Sequence, residues 1–168
     1  MQAISDLAER TVTLARNEYV KVKGGVDTNV YFVEDGSLRV FVLDNGEEQN
    51  IRFGYKGNLI VALDSFLTGK PTLFHMQAIK KTVLKVITRQ RLDQFLNAPG
   101  NQVVWTRILE GLIVQQLERE VDILTTSPRQ RYERVLRRSP QLFQVIPHRH
   151  IANYLRMTPE TLSRLKKS

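Results

Sequence analysis

Apolar positions in this chain change their period once, near residue 88, and the change divides it. From Thr11 to Thr88 they alternate in short runs: Thr11–Leu14, Tyr19–Val22, Val30–Val33, Leu38–Leu43, Asn50–Phe53, Phe74–Ile79 and Val83–Ile87. Short runs of this kind predict strands. Turn signals stand between them: Lys23-Gly24-Gly25, Glu34-Asp35-Gly36, Asp44-Asn45-Gly46, Lys56-Gly57-Asn58 and Thr68-Gly69-Lys70-Pro71. Asp44-Asn45-Gly46, between two alternating runs, predicts a tight hairpin. Seven short strands at this spacing argue for an antiparallel barrel or jelly roll and against βαβ units. Ahead of them, residues 1–9 predict one short helix with Ile4 and Leu7 apolar.

Helical periodicity takes over at Arg89. Leu92, Phe95 and Leu96 mark a short amphipathic helix that Ala98-Pro99-Gly100 ends. Asn101 to Thr126 then has no proline and one glycine, and Val114, Leu117, Val121 and Leu124 form an apolar seam with Val104 and Ile108 leading in. So long a helix with such a seam predicts pairing with a second copy of itself; the simpler alternative is packing on the barrel. Ser127-Pro128 reads as an N-cap followed by proline at the first helical position. The helix they open turns Tyr132, Val135 and Leu136 inward and Arg129, Arg134, Arg137 and Arg138 outward, and Pro140 ends it. Leu142, Phe143, Val145 and Ile146 fill a connector to Pro147, where the last helix pair begins. Ile151, Ala152 and Leu155 form one apolar stripe, Leu162 and Leu165 the next, and Thr158-Pro159 is a second capped start between them. The chain therefore reads as α+β in three parts: a barrel domain over 1–100, a dimerisation helix over 101–126 and a helix-turn-helix over 127–168.

Composition narrows the class. The 168 residues, 42% of them hydrophobic, suffice for one or two small cores. No run approaches the roughly 18 apolar residues of a membrane span. Asp6 and Glu9 interrupt any apolar region of a signal peptide. With no cysteine, disulfides, thiolate metal sites and cysteine-ligated clusters are excluded, and a cytoplasmic location is the simplest expectation. The net charge of +8 is confined. Residues 127–168 hold ten basic side chains (Arg129, Arg131, Arg134, Arg137, Arg138, Arg149, Arg156, Arg164, Lys166 and Lys167) against Glu133 and Glu160, while 1–126 carry 15 of each sign. A basic field this local is the footprint expected for a phosphate-backbone partner, and it lacks the aromatic and leucine face of a membrane-surface helix.

On the last helix Glu160, Ser163 and Arg164 fall at i, i+3 and i+4, opposite Leu162 and Leu165. A carboxylate, a hydroxyl and a guanidinium on one exposed face suit base edges, Arg pairing with guanine and Glu accepting from cytosine. His148, Arg149, Arg156, Lys166 and Lys167, with His150 less central, are placed to meet phosphates. A bare surface helix carrying a charge pair is the plain alternative. No enzyme is expected: His148 and His150 diverge on a helix, no metal-spaced set joins them to carboxylates, and neither a phosphate-cradling glycine loop nor a nucleophile–base pattern occurs.

A small barrel, a long helix and a basic terminal helix pair, in that order, resemble the Crp/Fnr superfamily of bacterial transcription regulators over nearly the whole chain. The resemblance is strongest at Val30-Tyr-Phe-Val-Glu-Asp-Gly-Ser-Leu-Arg-Val40 and at Ile151-Ala-Asn-Tyr-Leu-Arg-Met-Thr-Pro-Glu-Thr-Leu-Ser-Arg-Leu165. Leu63-Asp-Ser-Phe-Leu-Thr-Gly-Lys-Pro71 and Ser127-Pro-Arg-Gln-Arg-Tyr132 look most like the short Bacteroidetes-type members, and the Glu-x-x-Ser-Arg set is similar to the Fnr-like branch. The resemblance implies a cyclic-nucleotide-binding-like sensor barrel and a homodimer on double-stranded DNA, with RNA polymerase as a further partner. Glu160, Ser163 and Arg164 would then read a TTGA-like half-site, twice in a palindrome.

Departures from the family pattern bear on cofactors. Members that bind cyclic nucleotides hold the ribose with a Gly-Glu pair and the phosphate with an Arg-Ser/Thr pair. An ungapped reading from Gly57 places Val61-Ala62 and Thr72-Leu73 there, so cyclic AMP is not expected. An iron–sulfur cluster is excluded by the missing cysteines. Haem-binding members use a barrel histidine, but His75, alone in a strand, reads as structural. Only ten residues precede Thr11, where the family usually has another helix, and no wing hairpin follows Arg164. Leu59, Val61, Leu63, Thr72 and Leu73, with Phe66, Phe74 and Met76, either fill the barrel or surround an apolar effector. The alternative function is a ligand-sensing or interaction module whose basic tail meets a protein rather than DNA.

Overall fold

The computed structural model describes residues 2–167, so Met1 and Ser168, the outer limits of the first and last expected domains, lie outside the described residues. Two compact units part between Asn97 and Ala98.

In the first unit a short helix α1 (Gln2–Ser5) precedes the strands β1 (Arg10–Leu14), β2 (Tyr19–Lys21), β3 (Val30–Asp35), β4 (Ser37–Asp44), β5 (Glu47–Tyr55) and β6 (Leu59–Val61). Helix α2 (Leu63–Thr68), strands β7 (His75–Ala78) and β8 (Thr82–Ile87) and helix α3 (Arg89–Leu96) complete it. Every run of alternating residues forms a strand. The expected barrel, however, is not closed. The strands make two four-stranded antiparallel sheets, ordered β1-β8-β3-β6 and β2-β7-β4-β5. The chain leaves the first sheet for the second between β3 and β4 at Gly36, whose φ is +91° and where a Cβ would lie 2.5 Å from Lys81 O and from Thr82 Cα. Only glycine fits that corner. Asn45 and Gly46 both take positive φ, 50° and 84°, which is the twist a two-residue hairpin between β4 and β5 requires.

Leu14, Val33, Leu38, Val40, Ile60, Met76, Ala78, Leu84 and Val86 pack between the sheets. Phe41 is buried too, so β4 reads as a nearly unbroken apolar run. Strand β6 and helix α2 escape the sequence pattern for physical reasons. β6 lies in the unbroken apolar run Leu59–Leu63, which shows no alternation, and α2 has no side-chain cap at Ala62 to announce its start.

The second unit is helical: α4 (Asn101–Leu124), α5 (Pro128–Arg138), α6 (Leu142–Val145), α7 (His148–Tyr154) and α8 (Pro159–Lys167). Ser127 caps α5 as expected, its Oγ accepting the Gln130 N–H. The connector expected after Pro140 holds one helical turn, α6, and presents Leu142 and Ile146 to the core with Val135. Tyr132 meets Phe143 edge-on at 5.4 Å.

Candidate nucleic-acid interface

Ile151, Ala152, Leu155 and Leu162 are wholly buried and lock α7 against α8. Between the helices the chain turns through Arg156 at φ 55°, with Arg156 N–H donating to Asn153 O (3.1 Å) and Met157 N–H to Ala152 O (3.0 Å). This pair of bonds closes a helix end around a left-handed residue, a place usually given to glycine. Thr158 then caps α8, its Oγ1 accepting the Thr161 N–H at 3.2 Å, and Pro159 follows at the first helical position. Because an L side chain at left-handed φ is strained, Arg156→Gly is expected to stabilise this unit by about 1 kcal/mol, while weakening any phosphate contact made there. Urea unfolding followed by circular dichroism checks the stability change.

The packing of Leu162 turns the opposite face of α8 outward. Glu160 and Arg164 are exposed and Ser163 is half-buried, so the three predicted reading residues share one accessible face. The Glu160 carboxyl is held below its ordinary value, first by its own backbone N–H and then by the Thr158 hydroxyl, with Arg164 and His148 adding to the effect. It is thus a firmly ionised acceptor at the positive start of a helix. Arg149, Arg156, Lys166 and Lys167 are exposed, and the Lys166 ammonium stands 5.8 Å from the centre of the Phe143 ring. His148 is half-buried, and burial followed by the nearby Lys166 lowers its pKa. Neutral at pH 7, it offers a hydrogen bond rather than a charge. His150 accepts from Arg149 Nε at 3.4 Å.

The structure corrects the placement of two arginines and gives a third, Arg131, a place in the interior. Arg134 and Arg138 do not simply face out: Arg134 Nε and Nη2 donate to Asp122 and Glu118 at 3.0 Å, and Arg138 donates to the same two carboxylates. Arg131 is buried, donating to the carbonyls of Thr125, Thr126, Leu155 and Arg156. On the same inner side Arg119 stacks over Tyr154 at 3.8 Å, and burial lowers its pKa. Three of the ten basic side chains in 127–168 therefore serve the fold, and the outward field is smaller than the charge count implies. The spacing held the signal. Glu118 and Asp122 on α4 match Arg134 and Arg138 on α5, each pair four residues apart, and Arg131 shares the inner face of Val135.

Along α4 the buried side carries Leu112, Arg119 and Asp122. The seam lies elsewhere: Val114, Leu117, Val121 and Leu124 are 57%, 56%, 46% and 73% exposed.

Within the first unit the proposed effector residues divide. Val61 and Thr72 are buried, Leu59 and Leu63 half-buried, and Leu73 exposed. Helix α2 and the loop after it are tied by one carboxylate: Asp64 accepts the Thr72 hydroxyl (2.9 and 3.1 Å to its two oxygens) and the Leu73 N–H (2.8 Å). The loop is also paired to the chain before β3, Gly24 N–H donating to Thr72 O and Thr72 N–H to Gly25 O. His75 lies stacked on Phe41, ring centres 5.0 Å apart, and its two nitrogens have no hydrogen-bond partner among the described residues. No group of three or more His, Cys, Asp or Glu among the described residues is placed to hold a metal ion, and none of their helices is long and apolar enough to cross a membrane.

Two antiparallel sheets with a short helix and loop between β6 and β7 can be set beside known proteins. The profile of the cyclic nucleotide-binding domain matches residues 11–98, from β1 to just past α3. The chain belongs to the cyclic nucleotide-binding domain family. Solved structures extend the likeness of fold over both units. FixK2 from Bradyrhizobium japonicum superposes with a TM-score of 0.79 at 18% identity, covering 94% of this chain and 82% of that one. A doubly substituted mutant of CooA from Carboxydothermus hydrogenoformans gives 0.76 at 15%, covering 98% and 77%. TTHB099 from Thermus thermophilus, a transcriptional regulator of the CRP family, gives 0.68 at 19%, covering 93% and 82%. No curated protein sequence matches the chain. Within the matched stretch the Asp64 carboxylate already takes the Thr72 hydroxyl and the Leu73 amide.

Proposed function

We propose that this protein is a sequence-specific, DNA-binding transcription regulator of the Crp/Fnr type, acting as a dimer on a palindromic site. The observation that carries the reading is α8: capped at Thr158, pinned by the buried Leu162, and presenting Glu160, Ser163 and Arg164 on an accessible face. In this reading α7 and α8 are a helix-turn-helix, with α8 entering the major groove by its N-terminal half. Arg164 donates to guanine, Glu160 accepts from cytosine, and Ser163 serves either. The half-site is TTGA-like by resemblance. Arg149, Arg156, Lys166 and Lys167 meet phosphates, with His148 as a neutral donor, and these contacts set affinity and register but not sequence. The exposed seam of α4 is the surface that a second copy covers.

The sensor domain does not take cyclic AMP in this account. A phosphate approaching Thr72 and Leu73 meets the Asp64 carboxylate already bound there, with no guanidinium supplied at Thr72-Leu73. Like charges about 4 Å apart near a protein surface repel by roughly 4 kcal/mol, which weakens a ligand on the order of a thousandfold. Neither haem nor an iron–sulfur cluster is part of the proposal.

Two substitutions separate base reading from backbone contact. Arg164→Ala is expected to lose roughly 1–3 kcal/mol on the operator and to relax preference at one base pair. Lys166→Ala is expected to weaken all duplexes about equally and to flatten the salt dependence by about one unit for each subunit. A footprinting titration reads both. An Arg164→Ala protein that kept full operator preference would show that α8 does not read sequence through this face.

A further inference from the structure

We propose that Arg131 sets the spacing at which the two half-sites are read. This rests on the reading of α8 as the DNA-contacting helix and of α4 as the dimer helix.

Arg131 is 8% exposed and makes four hydrogen bonds, all to carbonyl oxygens, in two separate places. Nη1 donates to Thr125 O (2.6 Å) and Thr126 O (2.9 Å), just past the end of α4. Nε donates to Leu155 O (2.8 Å) and Nη2 to Arg156 O (3.1 Å), in the turn that launches α8. One cation thus serves the negative ends of two helices at once, where helix dipoles favour it. The guanidinium is planar and rigid, so the four bonds fix direction as well as distance. Around it, Arg119 stacked on Tyr154 ties α4 to α7, and the Glu118–Asp122–Arg134–Arg138 set ties α4 to α5. The angle between α4 and α8 cannot change without breaking part of the Arg131 fork.

In a twofold dimer built on α4, that angle fixes how far apart, and at what mutual twist, the two copies of α8 meet the duplex. Half-sites of such readers lie about one helical turn apart. Adding or removing one base pair shifts and rotates the second half-site, and a rigid reader then forces the duplex to deform. Arg131 is therefore a positioning residue. It touches no base, yet it confers selectivity for spacer length. In the sequence it is one of the ten basic side chains of residues 127–168.

The test uses the full-length protein and palindromes built on the half-site enriched from a random-sequence duplex pool, with the spacer at its enriched length, one base pair shorter and one longer. The wild-type protein is expected to lose about tenfold or more on the altered spacers, the elastic cost of fitting DNA to a rigid frame. In Arg131→Met that ratio should fall to within about twofold, while affinity for a duplex carrying one half-site stays within about threefold, since the reading face is untouched. Arg131→Lys keeps the charge without the fork and should behave the same way; it decides the matter if circular dichroism shows Arg131→Met to be unfolded. Variants that retain the wild-type spacer ratio overturn the inference, as does a wild-type protein indifferent to spacer length; both leave the DNA reading standing. Failure of the wild-type protein to bind even one half-site overturns that reading together with the inference.

Discussion

Asp122→Ala is expected to destabilise the helical unit by about 3 kcal/mol, the low end of the range for breaking a buried ion pair. Its carboxylate has no solvent exposure and receives Arg134 Nε at 3.0 Å together with Arg138 Nη2. Removing it deprives two guanidinium groups, 33% and 27% exposed, of their buried acceptor near the end of α4. Water reaches those arginines in part, which is why the low end of the range applies. Glu118 is the internal control. It binds the same two arginines at 3.0 Å, but its side chain is 44% exposed, and Glu118→Ala should cost less than about 1 kcal/mol. Urea denaturation of the two variants decides between burial and mere pairing. Equal losses would mean that burial of Asp122 does not matter to the fold. A marked loss only at Asp122 would identify it as the carboxylate that seats α5 on α4.

The second large effect lies on the other side of the same helix. Replacing both Leu117 and Val121 by Glu puts like charges into the exposed seam and should convert the dimer to a monomer. Affinity for a palindrome should then fall on the order of 10²–10⁴-fold, because the second half-site is no longer bound intramolecularly. Sedimentation velocity and a binding titration on the same samples are sufficient. A double variant that sediments and binds as the wild type would remove α4 from the interface. The substitutions touch neither α8 nor the arginine set, so loss of binding to a single half-site is not expected.

How much of this was legible in sequence depends on the length scale of each signal. Strands with four or more alternating residues, the Asn45-Gly46 hairpin and the caps at Ser127 and Thr158 were all readable, because each follows from local stereochemistry. Closure of the barrel was not, since whether two sheets share an edge is decided by pairing between distant strands. β6 and α2 were lost because the continuously apolar run Leu59–Leu63 shows no alternation and an uncapped helix shows no start. On the candidate interface the outward face of α8 followed from the 3.6-residue period and from the burial of Leu162. Arg134 and Arg138 were misplaced, and Arg131 left unplaced, for a different reason. Net charge adds every arginine alike, whereas Arg134 and Arg138 are paired with carboxylates of α4 and the Arg131 fork is turned inward onto carbonyls, so none of the three offers a free guanidinium to an outer partner. Asp64 was equally hidden: its role rests on contacts eight and nine residues along the chain, which no periodicity marks.

The most direct measurement is the affinity of the purified protein for random-sequence duplex as salt rises, followed by enrichment of the bound sequences from the pool. If the four exposed cations Arg149, Arg156, Lys166 and Lys167 of each subunit meet phosphates as proposed, the slope of log affinity against log salt for the proposed dimer is about −7. The enriched sequence should be a palindrome whose half-site preference is relaxed by Arg164→Ala. Binding with a slope near zero, or a pool that yields no enriched palindrome, would contradict the proposal that α8 reads DNA.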